Sequence, residues 1–375
     1  MQKLWRCRLT KILITGGAGF IGRRVSYALT AEGYDVVALD ALIDQVHRRS
    51  DPPVLPRGVR LITGDVRDAS LVRKALDGVE AVVHLAAEVG VGQSMYAINR
   101  YVSANDSGTA ILFEELARSS VRRIVVASSM SVYGEGLYRD ASGRQRTHVQ
   151  RTFAPGHAWE PLDETGRPLV PLATPETKPV DLASVYALTK YVQERLTLML
   201  AAAYGMEGCA LRLFNTFGPG QSLSNPYTGV LAIFASRLLN NRPPMVFEDG
   251  LQRRDFVHVD DVAEAFAAAL KAPEASGHVF NIGSGQSRSI LEVAQLLATA
   301  MGKSDLDPEI IGKARIGDIR HCFADITQAC TLLDFKPKRS LETSLDEFTS
   351  WLATQSAIDS VGRARTELEE RGLVS

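Results

Sequence analysis

Cysteine is scarce in this chain. Its 375 residues hold four, Cys7, Cys209, Cys322 and Cys330, at spacings that suit neither a zinc cluster nor a disulfide framework. A reducing, cytoplasmic setting is therefore expected. Charge of one sign is missing too. Forty-two Lys and Arg stand against 43 Asp and Glu, a net charge of −1, with no basic run. No electrostatic footprint for nucleic acid or a membrane surface is expected. No apolar run approaches the roughly 18 residues a membrane-spanning helix needs. The basic start Lys3–Arg8 is followed by an apolar stretch that reads as a strand rather than a signal core. There is no internal repeat. Length alone allows a large core and two lobes.

Glycine is present where it counts. Lys11-Ile12-Leu13-Ile14-Thr15 reads as a buried parallel strand and runs into Gly16-Gly17-Ala18-Gly19-Phe20-Ile21-Gly22, with a helical pattern (Val25, Leu29) after it. Glycines at the first, fourth and seventh positions suit a tight turn, close approach to a pyrophosphate, and helix–strand packing. Such a loop alone is weak evidence. A second apolar run, Val36–Leu39, ends in Asp40, where a carboxylate would accept hydrogen bonds from adenosine ribose hydroxyls and repel a 2′-phosphate. NAD is favoured over NADP, although Arg48 and Arg49 could fold back toward the ribose. Further strands at βαβ spacing (59–62, 81–85, 123–127) predict an α/β fold with a doubly wound parallel sheet. Asp65 and Val66 are placed to meet the adenine, and Leu85-Ala86-Ala87 to let backbone pass close to the cofactor. His84, within an apolar strand, reads as a core histidine.

Tyr186 and Lys190, four apart, share a helical face. A cation beside a phenol lowers its pKa from about 10 toward a useful base. The alternative is a surface pair that merely shares a face, and the upstream loop favours the catalytic reading.

Together Thr15–Gly22, His84–Ala87, Asn105–Thr109, Ser128–Gly134 and Tyr186–Lys190 resemble the extended short-chain dehydrogenase/reductases, nearest the nucleotide-sugar epimerases and dehydratases. The resemblance runs from Lys11 to about Leu352. It implies that Tyr186 removes a sugar hydroxyl proton, that Lys190 lowers its pKa and binds the nicotinamide ribose, and that Ser129 hydrogen-bonds the reacting oxygen. It also implies cofactor contacts from Gly16, Gly19, Phe20, Ile21, Gly22, Asn105 and Ser128. Dehydratases of this family carry Thr-Asp-Glu at and after the Ser129 position, and decarboxylases a Glu there. Here Met130 and Ser131, expected at the substrate, do not titrate near neutral pH. Elimination and decarboxylation are disfavoured, leaving 4-epimerisation through a transient 4-keto sugar.

The second half looks most like the dTDP-L-rhamnose 4-epimerase branch, through 211–231, Phe247–Gly250 and Arg253–Asp261. By analogy Asn215, Arg254 and Arg315 contact a substrate diphosphate, with Asp318 beside them. Asn225, Tyr227 and Thr228 either line the pocket or hold a loop together. His258 reads as structural. Asn281–Gly285 reads as a turn rather than a second phosphate loop.

The expected layout is a Rossmann NAD-binding domain at 9–210, a smaller mixed α/β substrate lobe at 211–352 with some segments returning to the core, and a charged tail at 353–375, helical or disordered. The long Pro/Gly-rich insert 135–183 is either a lid or surface decoration. It holds no cysteine, only His148 and His157, so no zinc site is predicted. The helices at 106–117 and 186–200 form the homodimer interface in the resembled family. The expected partner is a nucleotide-diphosphate sugar, dTDP- or UDP-linked. The rival readings are a UDP-glucuronate 4-epimerase; a dehydratase, decarboxylase or 4-keto reductase on the same fold; and, remotely, a non-catalytic NAD-binding module, which would be expected to have lost Tyr186 or Lys190.

Overall fold

The computed structural model describes residues 10–47, 53–151 and 159–374. Arg48, Arg49, His157, Cys7 and the basic start lie outside them. Seven parallel strands form the central sheet: β1 (Lys11–Thr15), β2 (Asp35–Asp40), β3 (Arg60–Thr63), β4 (Ala81–His84), β5 (Arg123–Ser129), β6 (Glu207–Leu213) and β7 (Val279–Ile282). Their order is β7-β6-β5-β4-β1-β2-β3, so the winding reverses between β1 and β4. Loops leaving those two strands part to opposite faces and open a crevice at the carboxyl ends. The sheet is apolar on both faces because helices cover both. Ile12, Ile14, Val83 and Val125 face one core with Val25, Leu29 and Phe266, while Leu13, Val37, Val82 and Ile124 face another with Leu112 and Phe113.

The expected boundary at 210 falls inside β6, and β7 returns from the second half to close the sheet. The second lobe is built on strands Asn215–Phe217, Arg253–His258, Ser287–Ser289 and His321–Cys322. Helices Val230–Leu239, Ile290–Ala300 and Leu341–Leu352 pack over it through Phe234, Leu297 and Phe348. The turn at Asn281–Gly285 wraps a carboxylate. Asp255 accepts hydrogen bonds from the amides of Ser284 (2.6 Å) and Gly285 (2.9 Å), and burial pushes its pKa up to about 6. His258 is buried and caps helix Val259–Lys271 through Nδ1, which accepts from the Asp260 amide at 3.2 Å.

The insert is an antiparallel three-stranded sheet, Gln145–Arg146, Leu137–Arg139 and Val170–Leu172. A cluster of charges pins it to the second lobe. Fully buried Arg320 meets Glu160 of the insert and Glu248 and Asp249 of the lobe, while His321 bonds Glu160 at 2.7 Å. The tail is a helix, Val361–Glu370, with Ala364 and Leu368 buried.

Candidate active site

One cavity of about 620 Å³ follows the crevice from the glycine loop into the second lobe. Its cofactor end is lined by Gly16, Gly19, Phe20, Ile21, Gly22, Asp40, Asp65, Val66, Leu85, Ala86 and Ala87, its middle by Ser128, Ser129, Met130, Ser131, Tyr186 and Lys190, and its far end by Asn215, Asn225, Tyr227, Arg254, Arg315 and Asp318. Asn105 is the exception. It is buried behind the wall, where its carboxamide accepts from the Glu88 amide (2.7 Å) and donates to the Thr189 hydroxyl (2.9 Å). From there Asn105 ties the strand-four loop to the Tyr186 helix.

The loop residues fit a dinucleotide. A Cβ on Gly22 would sit 2.3 Å from the Gly16 carbonyl, so packing itself demands glycine there. A Cβ on Gly19 would meet only that carbonyl, at 3.3 Å, so its missing side chain serves the cavity instead. No side chain among the described residues caps the first helix, Phe20–Ala31, which leaves its first amides to a phosphate. Asp40 is already engaged: it accepts from the amides of Ala18 (3.0 Å) and Leu42 (2.9 Å) and faces His47 Nε2 at 3.4 Å. Burial alone would raise its pKa, but these donors hold it below the usual carboxylate value.

At the centre, Ser184 caps the helix Val185–Ala203 by accepting from the Ala187 amide (3.1 Å), which puts Tyr186 in the first turn beside the end of β5. Ser129 Oγ accepts from Ser131 Oγ at 2.9 Å and hydrogen-bonds the Tyr186 phenol. The expected lowering of that phenol is not found. Burial raises its pKa and the Ser129 bond offsets only part. The cation is turned away: Lys190 Nζ donates to Gln193 Oε1 at 2.6 Å, and burial lowers its pKa to about 7. Gln193 in turn donates to Thr109 (2.8 Å), and His84 bonds Thr15 and Thr109 at 2.7 and 2.8 Å, a satisfied core histidine as expected.

The far end carries unpaired acceptors and little-compensated cations. Asn215 Oδ1, Gln221 Oε1 and Gln252 Oε1 are buried on the wall without a hydrogen-bond partner among the described residues. Arg254 donates to the carbonyls of Arg253, Ile319 and Arg320 and meets no carboxylate among the described residues. Arg315 pairs with Asp318 (2.8 Å) and lies 4.5 Å from the Phe247 ring centre. Asn225 does both things expected of it, lining the wall and accepting from Gln45 (3.2 Å) and the Tyr227 amide (3.1 Å). The described insert residues line none of this cavity, so the lid reading finds no support among them.

Sequence reasoning missed His47, Glu88, Gln221, Gln252 and Arg365, all on the wall. It also missed Glu194, which holds Arg212 (2.6 Å) and the Ser128 hydroxyl (2.7 Å) beneath the site. Its spacing was a usable signal, since Gln193 and Glu194 follow Lys190 by three and four on the same face.

The model of the NAD dependent epimerase/dehydratase family matches residues 12–159 and 163–283. The chain belongs to that family. Among curated members it is 38% identical, over 351 residues, to a dTDP-L-rhamnose 4-epimerase of Burkholderia thailandensis, spanning 92% of this chain and 95% of the relative. Among solved structures of the family it superposes on a UDP-glucose 4-epimerase of Thermotoga maritima, bound to UDP-glucose, with a TM-score of 0.75 at 29% identity, covering 92% and 99% of the two chains. The UDP-glucose 4-epimerase of Thermus thermophilus, solved with NAD, gives 0.73 at 27% identity over 92% and 99%. Among the described residues, no helix is long and apolar enough to cross a membrane.

Proposed function

We propose that this protein is an NAD-dependent nucleotide-sugar 4-epimerase acting on a dTDP- or UDP-sugar such as dTDP-L-rhamnose. One observation carries the reading. A single cavity joins a dinucleotide loop to a Ser–Tyr–Lys centre and to an arginine-lined end, while the two positions where elimination would need an acid hold Met130 and Ser131. Bound NAD would supply a hydride acceptor that returns the hydride to the same sugar, so none is consumed. Gly16, Gly19, Phe20, Ile21 and Gly22 would hold its pyrophosphate, Asp40 its ribose, Asp65 and Val66 its adenine, with Leu85, Ala86, Ala87 and Ser128 along its length.

Tyr186 takes the proton from the sugar's 4-hydroxyl as that carbon becomes a carbonyl, and returns it after the ring has turned over. Ser129 Oγ holds the reacting oxygen. With Tyr186 raised by its own burial, Lys190 must swing from Gln193 toward the phenol for the base to act near neutrality. Asn215, Arg254 and Arg315 bind the substrate's diphosphate end, and Asn225 and Tyr227 close the sugar side.

The reading extends to assembly. Leu188 and Met199 of the Tyr186 helix are 44% and 56% exposed, an apolar surface suited to a homodimer that the light-scattering mass would reveal.

The first test is proton NMR of the purified protein with dTDP-L-rhamnose, UDP-glucose and UDP-glucuronate and no added cofactor. Conversion of one sugar to its 4-epimer is expected. A 4-keto product or loss of carbon dioxide would refute the proposal. Tyr186→Phe should abolish turnover with NAD retained in the purified protein, and persistent activity would remove the phenol from the chemistry.

A further inference from the structure

The charged tail does more than decorate the surface. Val361, Ala364, Arg365 and Leu368, spaced three, four and seven along one helical face, all line the cavity. Three contacts hold the helix there. Glu367 accepts from the Tyr96 and Tyr227 hydroxyls at 3.1 and 3.0 Å, and those hydroxyls are 2.7 Å apart. Tyr96 follows β4 and Tyr227 belongs to the second lobe, so one carboxylate latches both halves. Leu368 sits where a Cβ on Gly92 would touch it at 3.3 Å. Past the helix, the Ile316 amide donates to the Leu373 carbonyl (3.0 Å), and Arg315 pairs across a bridge with Val374.

The charges at this end are unbalanced. Arg254, Arg315 and Arg365 line this end with Asp318. Glu369, off the wall, is shared by Lys313 (2.8 Å) and Arg365 Nε (2.9 Å), and Asp318 is taken by Arg315. Three guanidinium groups against one carboxylate leave this stretch of the wall positive among the described residues, which suits a diphosphate. Only Nε of Arg365 is engaged among them, so its two terminal nitrogens remain for an anion. A planar guanidinium is built to grip phosphate oxygens in pairs.

We propose that segment 361–374 is the outer wall of the substrate site, and that Arg365 is a further ligand of the substrate diphosphate. The inference rests on the nucleotide-sugar reading of the cavity. The latch through Glu367 sets where Arg365 stands, and Arg315 is braced by the same segment. The tail thus delivers one guanidinium and steadies another.

The test is equilibrium binding of dTDP, UDP, UDP-glucuronate, thymidine and uridine to the full chain and to Arg365→Leu and Arg365→Lys. Arg365→Leu should weaken the diphosphates about 10-fold or more, the worth of a charge-assisted hydrogen bond. Affinity for the two nucleosides should be unchanged, and Arg365→Lys should recover part of the loss. With turnover substrate, KM should rise while kcat stays within about twofold. Equal diphosphate affinity in Arg365→Leu and the wild type would overturn the assignment. So would a loss confined to UDP-glucuronate, which would move the guanidinium to a sugar carboxylate. A wild-type protein that binds neither diphosphate would overturn the nucleotide-sugar reading itself.

Discussion

At the scale of single residues, the site is a contest between burial and charge. Lys190 is the clearest case. Its folded pKa of about 7 lies below its ordinary 10.5, so folding disfavours the charged form. That cost is absent above the ordinary value, grows as pH falls toward 7, and is constant below it. Lys190→Met should therefore inactivate the enzyme yet raise Tm by about 2–4 °C at pH 6, with the gain fading by pH 10.5. A variant less stable at pH 6 would show that the Gln193 bond outweighs the buried charge. Asp40 has two duties, since it pins the loop amides as well as facing the ribose site. Asp40→Ala should weaken NAD roughly 10-fold, relax discrimination against NADP, and lower stability by about 1–3 kcal/mol from amides left unpaired. Titration with both nucleotides and urea unfolding check each part. The residue types were legible because Gly16–Gly22, Asp40 and Tyr186–Lys190 sit at fixed offsets from strand and helix starts. The direction of the Tyr186 shift was not, because spacing cannot say which way Lys190 Nζ points.

At the scale of elements, the helix Val185–Ala203 is what holds the chemistry in register. Its inner face is polar where a plain core helix would be apolar: Gln193 and Glu194 are each 1% exposed. Glu194 ties the helix to Arg212 on β6 and to Ser128 on β5, next door to Ser129. Removing one partner of a buried pair strands the other charge. Glu194→Ala should cost about 3–5 kcal/mol in denaturant unfolding. Turnover should fall further than NAD affinity, because Tyr186 and Ser129 lose their common anchor. Equal losses in both would make the pair purely structural. The strands were legible in advance, since β1, β2, β4 and β5 are continuous apolar runs of a sheet buried on both faces. The split of the second half was only partly so. Val279–Ile282 reads locally like any short strand, and nothing in its residues says that it pairs with β6 rather than within the second lobe.

At the scale of the whole molecule, long-range charge pairs join what the backbone separates. Arg320 gathers Glu160, Glu248 and Asp249 with no exposure of its own, fastening the insert to the second lobe. Arg320→Met should lower stability by about 3–5 kcal/mol and open the insert to protease within 135–183, with NAD binding kept. Cleavage no faster than in the wild type would show that the insert's own strands suffice. Pairings of this kind were illegible in sequence. Arg320 and Glu160 are 160 positions apart, and composition alone made the insert and the charged tail look like candidates for loop and disorder. Only their burial on folding separates a structural charge from a solvated one.

Gly19 has an extended conformation open to any residue, φ −68° and ψ 175°, and a single close neighbour at its Cβ, the Gly16 carbonyl at 3.3 Å. The protein's architecture makes a small claim on its bareness; the guest makes the larger one. A single branched side chain there could retire the enzyme without unmaking the protein. The lineage would then keep a well-folded shell that still recognises sugar nucleotides, which is how a sensor or decoy can descend from a catalyst in one step.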